Sequence, residues 1–244
     1  MRVKKKVIIG LSIFCGFIIL VLTAFFIYVS TYYRALDEVD KYLESSLNVT
    51  VIEHDNYYSF EHKDATKGFI FYPGGLVEAI SYAPLMHEIA NNGYLCILIE
   101  MPFNLAVFDL NAADGIIGEY ENITEWYIGG HSLGGSMSAS YLGKNKDDFS
   151  GLILLGSYST SDFSDEDLKV LSIYGEYDEV LNKEKYEDNT KNLPEDFVEV
   201  VIDGGCHAYF GTYGKQKGDG DPKISNKEQI TITVEAISSF ISKE

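Results

Sequence analysis

"EWYIGGHSLGGSMSASYLGK", residues 125–144, joins a short apolar run to a helix-like stretch through a turn of small residues. Residues 125–130 read as a strand, and a helix begins directly after Ser132. Ser132 stands at the corner between Gly130 and Gly134. A strand that becomes a helix so abruptly leaves no space for flanking side chains, and glycine meets that constraint. The serine hydroxyl then stands clear of the turn, and the amide of Leu133 at the helix start faces the same space. A plain glycine-rich packing turn would explain the glycines alone. The strand before and the helix after favour an exposed nucleophile.

The flanking sequence repeats this alternation. Strand-length apolar runs occur at 48–53, 68–72, 94–100, 125–130, 151–156, 169–174 and 197–203. Helical stretches fall between them at about 79–92, 104–118, 133–144, 182–192 and 226–242. Several strands are apolar on both faces, as buried parallel strands are. The pattern predicts an α/β fold, a mostly parallel central sheet covered by helices, with its functional loops at the carboxyl ends of the strands.

A nucleophilic serine needs a base and an acid that orients the base. His54, His62 and His87 precede the turn, and His131 is too close in sequence to reach its neighbour's hydroxyl. Only His207 follows, in "IDGGCHAYFG" (202–211), past the last strand. Asp178 lies between, in "GEYDEV" (175–180), with Glu176 and Glu179 as close competitors and Asp162 in reserve. The loop after residues 68–72 reads "PGGLVE" (73–78) and offers the amide of Gly75, or equally Leu76, beside that of Leu133, as oxyanion donors. The spacing between 157 and 168 is too short for a lid domain. "GDGDP" (218–222) is read as a turn rather than a calcium loop, and neither metal nor cofactor is expected.

The first thirty residues form a separate unit. "MRVKKK" is basic, and residues 7–30 then run without a charge. As a helix that run spans about 36 Å, enough to cross a hydrocarbon core. A cleaved signal peptide would have a shorter apolar region and a small residue three before the cut, where Tyr28 stands. The expected division is a cytoplasmic basic tail (1–6), a single-pass transmembrane signal anchor (7–30), a polar helical stalk (31–46) and an extracellular α/β domain (47–244) in the cell membrane. Without Arg2, Lys4, Lys5 and Lys6 the formal charge of −18 becomes −22, which argues against nucleic acid as a partner. Three cysteines, Cys15, Cys96 and Cys206, make a disulfide framework unlikely to be the fold's support.

The segments 71–85, 99–108, 129–139, 173–180 and 204–220 together resemble the α/β-hydrolase superfamily, and in particular the small bacterial fold-5 branch related to dienelactone hydrolases. The resemblance implies an α/β-hydrolase fold without a lid and a Ser–Asp–His triad at Ser132, Asp178 and His207. Dienelactone hydrolases proper carry a cysteine nucleophile; Ser132 departs from them, so their substrate is not implied. The expected activity is hydrolysis of a carboxylic ester in a small or acylated substrate through an acyl-enzyme. An acyltransferase or peptidase would use the same triad, and a non-catalytic tethered binding module would use none of it.

Overall fold

The computed structural model describes residues 2–242 and divides into two compact units, with the boundary between Tyr32 and Tyr33. The first unit is one helix, α1 (Arg2–Val29). Its segment Gly10–Val29 has a mean hydropathy of 2.6, long and apolar enough to cross a membrane. The side chains of the expected basic tail, residues 1–6, lie outside the described residues.

The second unit is a single sheet of eight strands: β1 (Val49–Glu53), β2 (Tyr57–His62), β3 (Lys67–Tyr72), β4 (Leu95–Ile99), β5 (Glu125–His131), β6 (Gly151–Leu155), β7 (Lys169–Gly175) and β8 (Val198–Ile202). Their spatial order is β1-β2-β4-β3-β5-β6-β7-β8. β2 runs antiparallel to β1 and β4, and the six strands from β4 to β8 are parallel. The apolar runs predict every strand but β2, where Tyr57 and Ser59 are buried on one face and Phe60 on the other among polar neighbours, so neither an apolar run nor an alternation marks it.

Among the described residues five further α-helices follow in chain order: α2 (Ala83–Asn91), α3 (Ile116–Glu119), α4 (Leu133–Leu142), α5 (Lys183–Asn189) and α6 (Asn226–Ser242). Local chemistry sets their starts. α2 carries a proline in its first turn, where no amide is needed. The Asn182 side chain caps α5 by accepting from Lys185 N at 2.9 Å. Ser225 and Glu228 form a reciprocal capping box at α6, with Glu228 N donating to Ser225 Oγ at 3.2 Å and Ser225 N to Glu228 Oε2 at 2.7 Å.

The period-two alternation of the strands feeds two cores. Phe69, Phe71, Leu98, Ile153 and Ile173 face α2 and α6, meeting Leu85, Met86, Ile89, Ile237 and Phe240. Ile70, Tyr72, Ile97, Ile128, Leu152 and Leu154 face the other way, with Ile116 of α3 and Ala139 and Leu142 of α4. Burying each such side chain contributes about 1.5–3 kcal/mol.

Two sequence expectations differ from the structure. The helix expected over 104–118 is replaced by short turns and α3, because Phe103 (φ 58°), Asn104 (φ 55°) and Gly115 (φ 84°) take left-handed backbone that no helix continues. The stretch expected as a polar helical stalk, 31–46, holds only a short 3₁₀ helix at Asp37–Tyr42. From Tyr33 onward it lies on the body: Val39 is fully buried in the core, and Tyr33 bridges Val77 in parallel. Its few apolar residues make contacts with the body instead of extending a helix. No helix or strand occupies 156–168, in keeping with the absence of a lid there.

β5 and α4 meet β3 without an intervening side chain. A Cβ on Gly134 would stand 2.2 Å from Tyr72 O, and one on Gly130 2.3 Å from the same atom. Gly134→Ala is therefore expected to cost about 3 kcal/mol of stability, the upper end for overpacking. Gly118→Ala, with nothing within 4 Å of its new methyl, is expected to fall within about 1 kcal/mol of wild type on the stabilising side. Thermal unfolding of the detergent-solubilised chain measures both, and equal midpoints for the two variants would contradict the packing argument.

Candidate active site

The chain leaves β3 for β4 on one side and returns to β5 on the other, so the sheet order reverses at β3. The loops after β3 and β5 thus diverge over a crevice, the usual place for a ligand in an open parallel sheet. The first loop is Pro73–Glu78, and the second is the turn at Ser132. Ser132 has φ 53° and ψ −122°, a strained conformation for a residue with a side chain. Two bonds hold it there: Ser132 N donates to Leu155 O at 2.9 Å, and Ser157 Oγ donates to Ser132 O at 2.8 Å.

Asp178 and His207 meet at the adjoining strand ends. Each is 1% exposed, and His207 Nδ1 lies 2.8 Å from Asp178 Oδ2. The other carboxylate oxygen, Oδ1, accepts from Val180 N at 3.0 Å and Leu181 N at 2.7 Å. A buried carboxylate so saturated with donors stays in place and fixes the imidazole's proton on Nδ1. His207 Nε2 is left buried with no partner; no hydrogen bond joins it to Ser132 Oγ. Gly156, next to the Leu155 carbonyl that holds Ser132, faces the pair: a Cβ there would lie 2.9 Å from His207 Nδ1 and 3.0 Å from Asp178 Oδ2.

The competing acids lie elsewhere. Glu176 is exposed and accepts from Gly204 N at 3.1 Å, bracing the loop that carries His207. Glu179 is exposed, and Asp162 is exposed and bound to Ser164. Among the described residues, His207 is the histidine bonded to Asp178.

The amides of the first loop divide by their partners. Gly74 N donates to Tyr82 Oη at 3.1 Å, and Leu76 N donates to Asn104 O at 2.7 Å. Gly75 N donates to no acceptor among the described residues. Leu133 N, in the first turn of α4, has no intrahelical acceptor. The two backbones are neighbours, since a Cβ on Gly75 would stand 3.3 Å from Leu133 Cβ. Leu76, equal to Gly75 on sequence, thus has its amide committed to Asn104.

Three supporting residues escape sequence reasoning. Asp219, in the loop read as a plain turn, accepts from His207 N at 3.1 Å and Ala208 N at 2.8 Å, and so anchors the main chain of His207. Gly156 makes room for the Asp178–His207 pair at φ 50°; its place as the last residue of the apolar run 151–156 was the available signal. Tyr82 lies 2.7 Å from His131 Nδ1. Tyr82 Oη also accepts from Gly74 N at 3.1 Å, so one hydroxyl joins the loop after β3 to the turn at Ser132. The His131 and His207 rings are 4.4 Å apart between centroids.

Burial, and then the neighbouring His207, hold the His131 imidazole well below its usual value; burial also lowers His87. Below about pH 6.5 the unfolded chain binds protons at both positions that the folded chain refuses. The stability contributed by these neutral histidines is therefore complete above pH 6.5 and lost as pH falls below it. Protonating a surface of formal charge −18 acts in the opposite sense, so slopes are compared. Thermal midpoints measured from pH 7.5 to 5.5 are expected to fall more steeply for wild type than for His131→Asn. An equal or shallower wild-type slope would contradict a buried neutral His131.

The profile of the alpha/beta hydrolase family matches residues 68–231. No curated protein matches the chain in sequence. Among solved structures, carboxyl esterase 2 from Tuber melanosporum superposes with a TM-score of 0.59 at 13% identity, over 86% of this chain and 90% of that one. A monoacylglycerol lipase from Paleococcus ferrophilus gives 0.58 at 14% identity, over 78% and 99%. Dienelactone hydrolase from Anabaena variabilis gives 0.56 at 13% identity, over 79% and 98%. At these identities the likeness shows a shared fold. The matched profile spans most of the strands and both crevice loops, and the chain belongs to the alpha/beta hydrolase family.

Proposed function

We propose that this chain is a membrane-anchored serine hydrolase that cleaves a carboxylic ester through an acyl-enzyme. The observation that carries the reading is the buried Asp178–His207 pair, whose Nε2 has no partner and whose imidazole lies 4.4 Å between centroids from that of His131, the residue before Ser132 in the strained turn. Similar folds among a carboxyl esterase and a monoacylglycerol lipase support it.

In this mechanism His207 Nε2 takes the Ser132 hydroxyl proton as Oγ attacks the acyl carbonyl carbon. The carbonyl π electrons move to oxygen, and the amides of Gly75 and Leu133 stabilise the oxyanion. Asp178 stabilises the imidazolium without taking its proton. Collapse of the tetrahedral species expels the alkoxide, which receives the proton from Nε2. Water then attacks the acyl-enzyme with His207 again as base, releasing the acid and restoring Ser132. Cys206 adjoins the base but is no rival nucleophile: burial pushes its thiol up to about 12, so it stays protonated. Apolar α1 is the proposed anchor, its basic start holding the N-terminus inside and the body outside.

A fluorophosphonate is expected to label Ser132 in wild type and nothing in Ser132→Ala, with the thermal midpoint nearly unchanged. Asp178→Asn is expected to lower turnover about 10⁴-fold. Gly156→Ala, whose methyl displaces the His–Asp pair, is expected to lower it about 100-fold. Full labelling of Ser132→Ala, read by peptide mass spectrometry, would overturn the nucleophile assignment.

Protease added to intact cells is expected to digest the body; complete protection would contradict the outward orientation.

A further inference from the structure

The segment that follows α1 is built into the oxyanion loop. Tyr33 N donates to Leu76 O at 2.7 Å, and Glu78 N donates to Tyr33 O at 2.9 Å. The Glu78 carboxylate, at Oε2, accepts from Ala35 N at 2.8 Å. The same strand-like strap grips the loop beyond His207: Leu36 N donates to Thr212 O at 3.0 Å, and Lys217 N to Tyr33 Oη at 3.0 Å. The Tyr33 and Tyr213 rings pack at 5.5 Å between centroids, and Val39 closes the strap into the core.

These bonds have a consequence for one amide. Leu76 sits in left-handed backbone (φ 56°), with its N–H fixed by Asn104 and its C=O by Tyr33. Val77, the bridge partner of Tyr33, donates its N–H to Gly74 O at 3.2 Å. Gly74 C=O and Gly75 N–H belong to one trans peptide, so they point in opposite directions. Whatever fixes Val77 therefore fixes the aim of the Gly75 amide. A strained loop keeps one conformation only when its surroundings determine it, and on this side the surroundings are the strap.

We infer that Tyr33–Leu36 is a positioning element of the oxyanion hole, so that the residues directly joining the apolar helix to the body set the aim of the Gly75 amide. This rests on the reading of Gly75 as an oxyanion donor to an acyl group on Ser132. The strap touches neither Ser132 nor the transferred group; it acts through Val77 and Leu76. Only three residues, 30–32, separate the end of α1 from the strap, so loss of this segment removes the anchor and an active-site support together.

The test uses the full chain in detergent. Glu78→Ala removes the acceptor for Ala35 N, whereas Glu78→Gln keeps an oxygen there. Leu36→Pro removes the N–H donated to Thr212 at a position whose φ of −79° and ψ of 151° suit proline. A Gly-Ser insertion between Ser30 and Thr31 leaves every strap bond intact. Glu78→Ala and Leu36→Pro are expected to lower kcat on a soluble ester and the fluorophosphonate labelling rate about tenfold or more, as a misaimed oxyanion donor does. KM and the midpoint of the kcat pH profile are expected to hold, because substrate contact and the His207–Asp178 pair are untouched. Glu78→Gln is expected to recover most of the rate, and the insertion to keep it. Wild-type rates in both Glu78→Ala and Leu36→Pro, or a matching loss in the insertion variant, would overturn the strap's role while leaving the hydrolase reading intact. A wild-type chain that neither labels nor turns over would overturn both. Should one of the two fail to fold by circular dichroism, the other decides.

Discussion

The backbone of α4 rests on the carbonyl that ends β3, with no side chain between them. The contact is possible only because Gly130 and Gly134 leave that space empty. Helix α4 must then start at once after β5, and Ser132 at the corner is forced into φ 53°. The strain sits in one residue and is held by bonds to Leu155 and from Ser157. The same contact brings the first turn of α4 against the loop that follows β3. The uncommitted amides of Gly75 and Leu133 therefore become neighbours as a result of packing, before any ligand is present. A rigid pair of donors aimed in advance needs no reorganisation as charge develops, which is where such groups gain their catalytic value.

The second half of the site depends on burial. Asp178 is held by main-chain donors, and His207 is buried between Asp178, Gly156 and the His131 ring, so the carboxylate and the imidazole have few alternative arrangements. Beneath them, the buried His131 is kept neutral by desolvation and by its neighbour. The two rings lie 4.4 Å apart between centroids, and a neutral His131 adds no positive charge beside His207. The Gly74–Tyr82–His131 chain also ties the loop after β3 to the serine turn through polar groups that do not titrate near neutrality: burial pushes the Tyr82 hydroxyl upward and the His131 imidazole downward.

Much of this was legible in the sequence because its constraints are local. A serine between glycines at a strand–helix junction, a histidine past the last strand and an acid after the preceding one are all tied to element ends. Continuous apolar runs mark those ends clearly. What escaped depends on tertiary partners. β2 pairs at the antiparallel side of the sheet with a mixed face, so neither alternation nor a run betrays it. The stretch 104–118 has helical spacing, yet the positive φ values at Phe103 and Asn104 serve the loop that receives Leu76 N–H. Residues 33–46 look solvated by composition, but Tyr33, Leu36 and Val39 are each placed by a distant carbonyl or cavity. The choice between Gly75 and Leu76 could not be made from spacing, since it turns on an acceptor, Asn104 O, that lies 28 residues away in the chain.

The most direct measurement of the central claim is a crystal structure of the enzyme inhibited by a dialkyl fluorophosphate. Phosphorus is expected on Ser132 Oγ, with the phosphoryl oxygen about 2.7–3.1 Å from both Gly75 N and Leu133 N. His207 Nε2 is expected to face the displaced position, with Nδ1 still bonded to Asp178. Phosphorus on another residue, or a phosphoryl oxygen turned away from those two amides, would contradict the assignment.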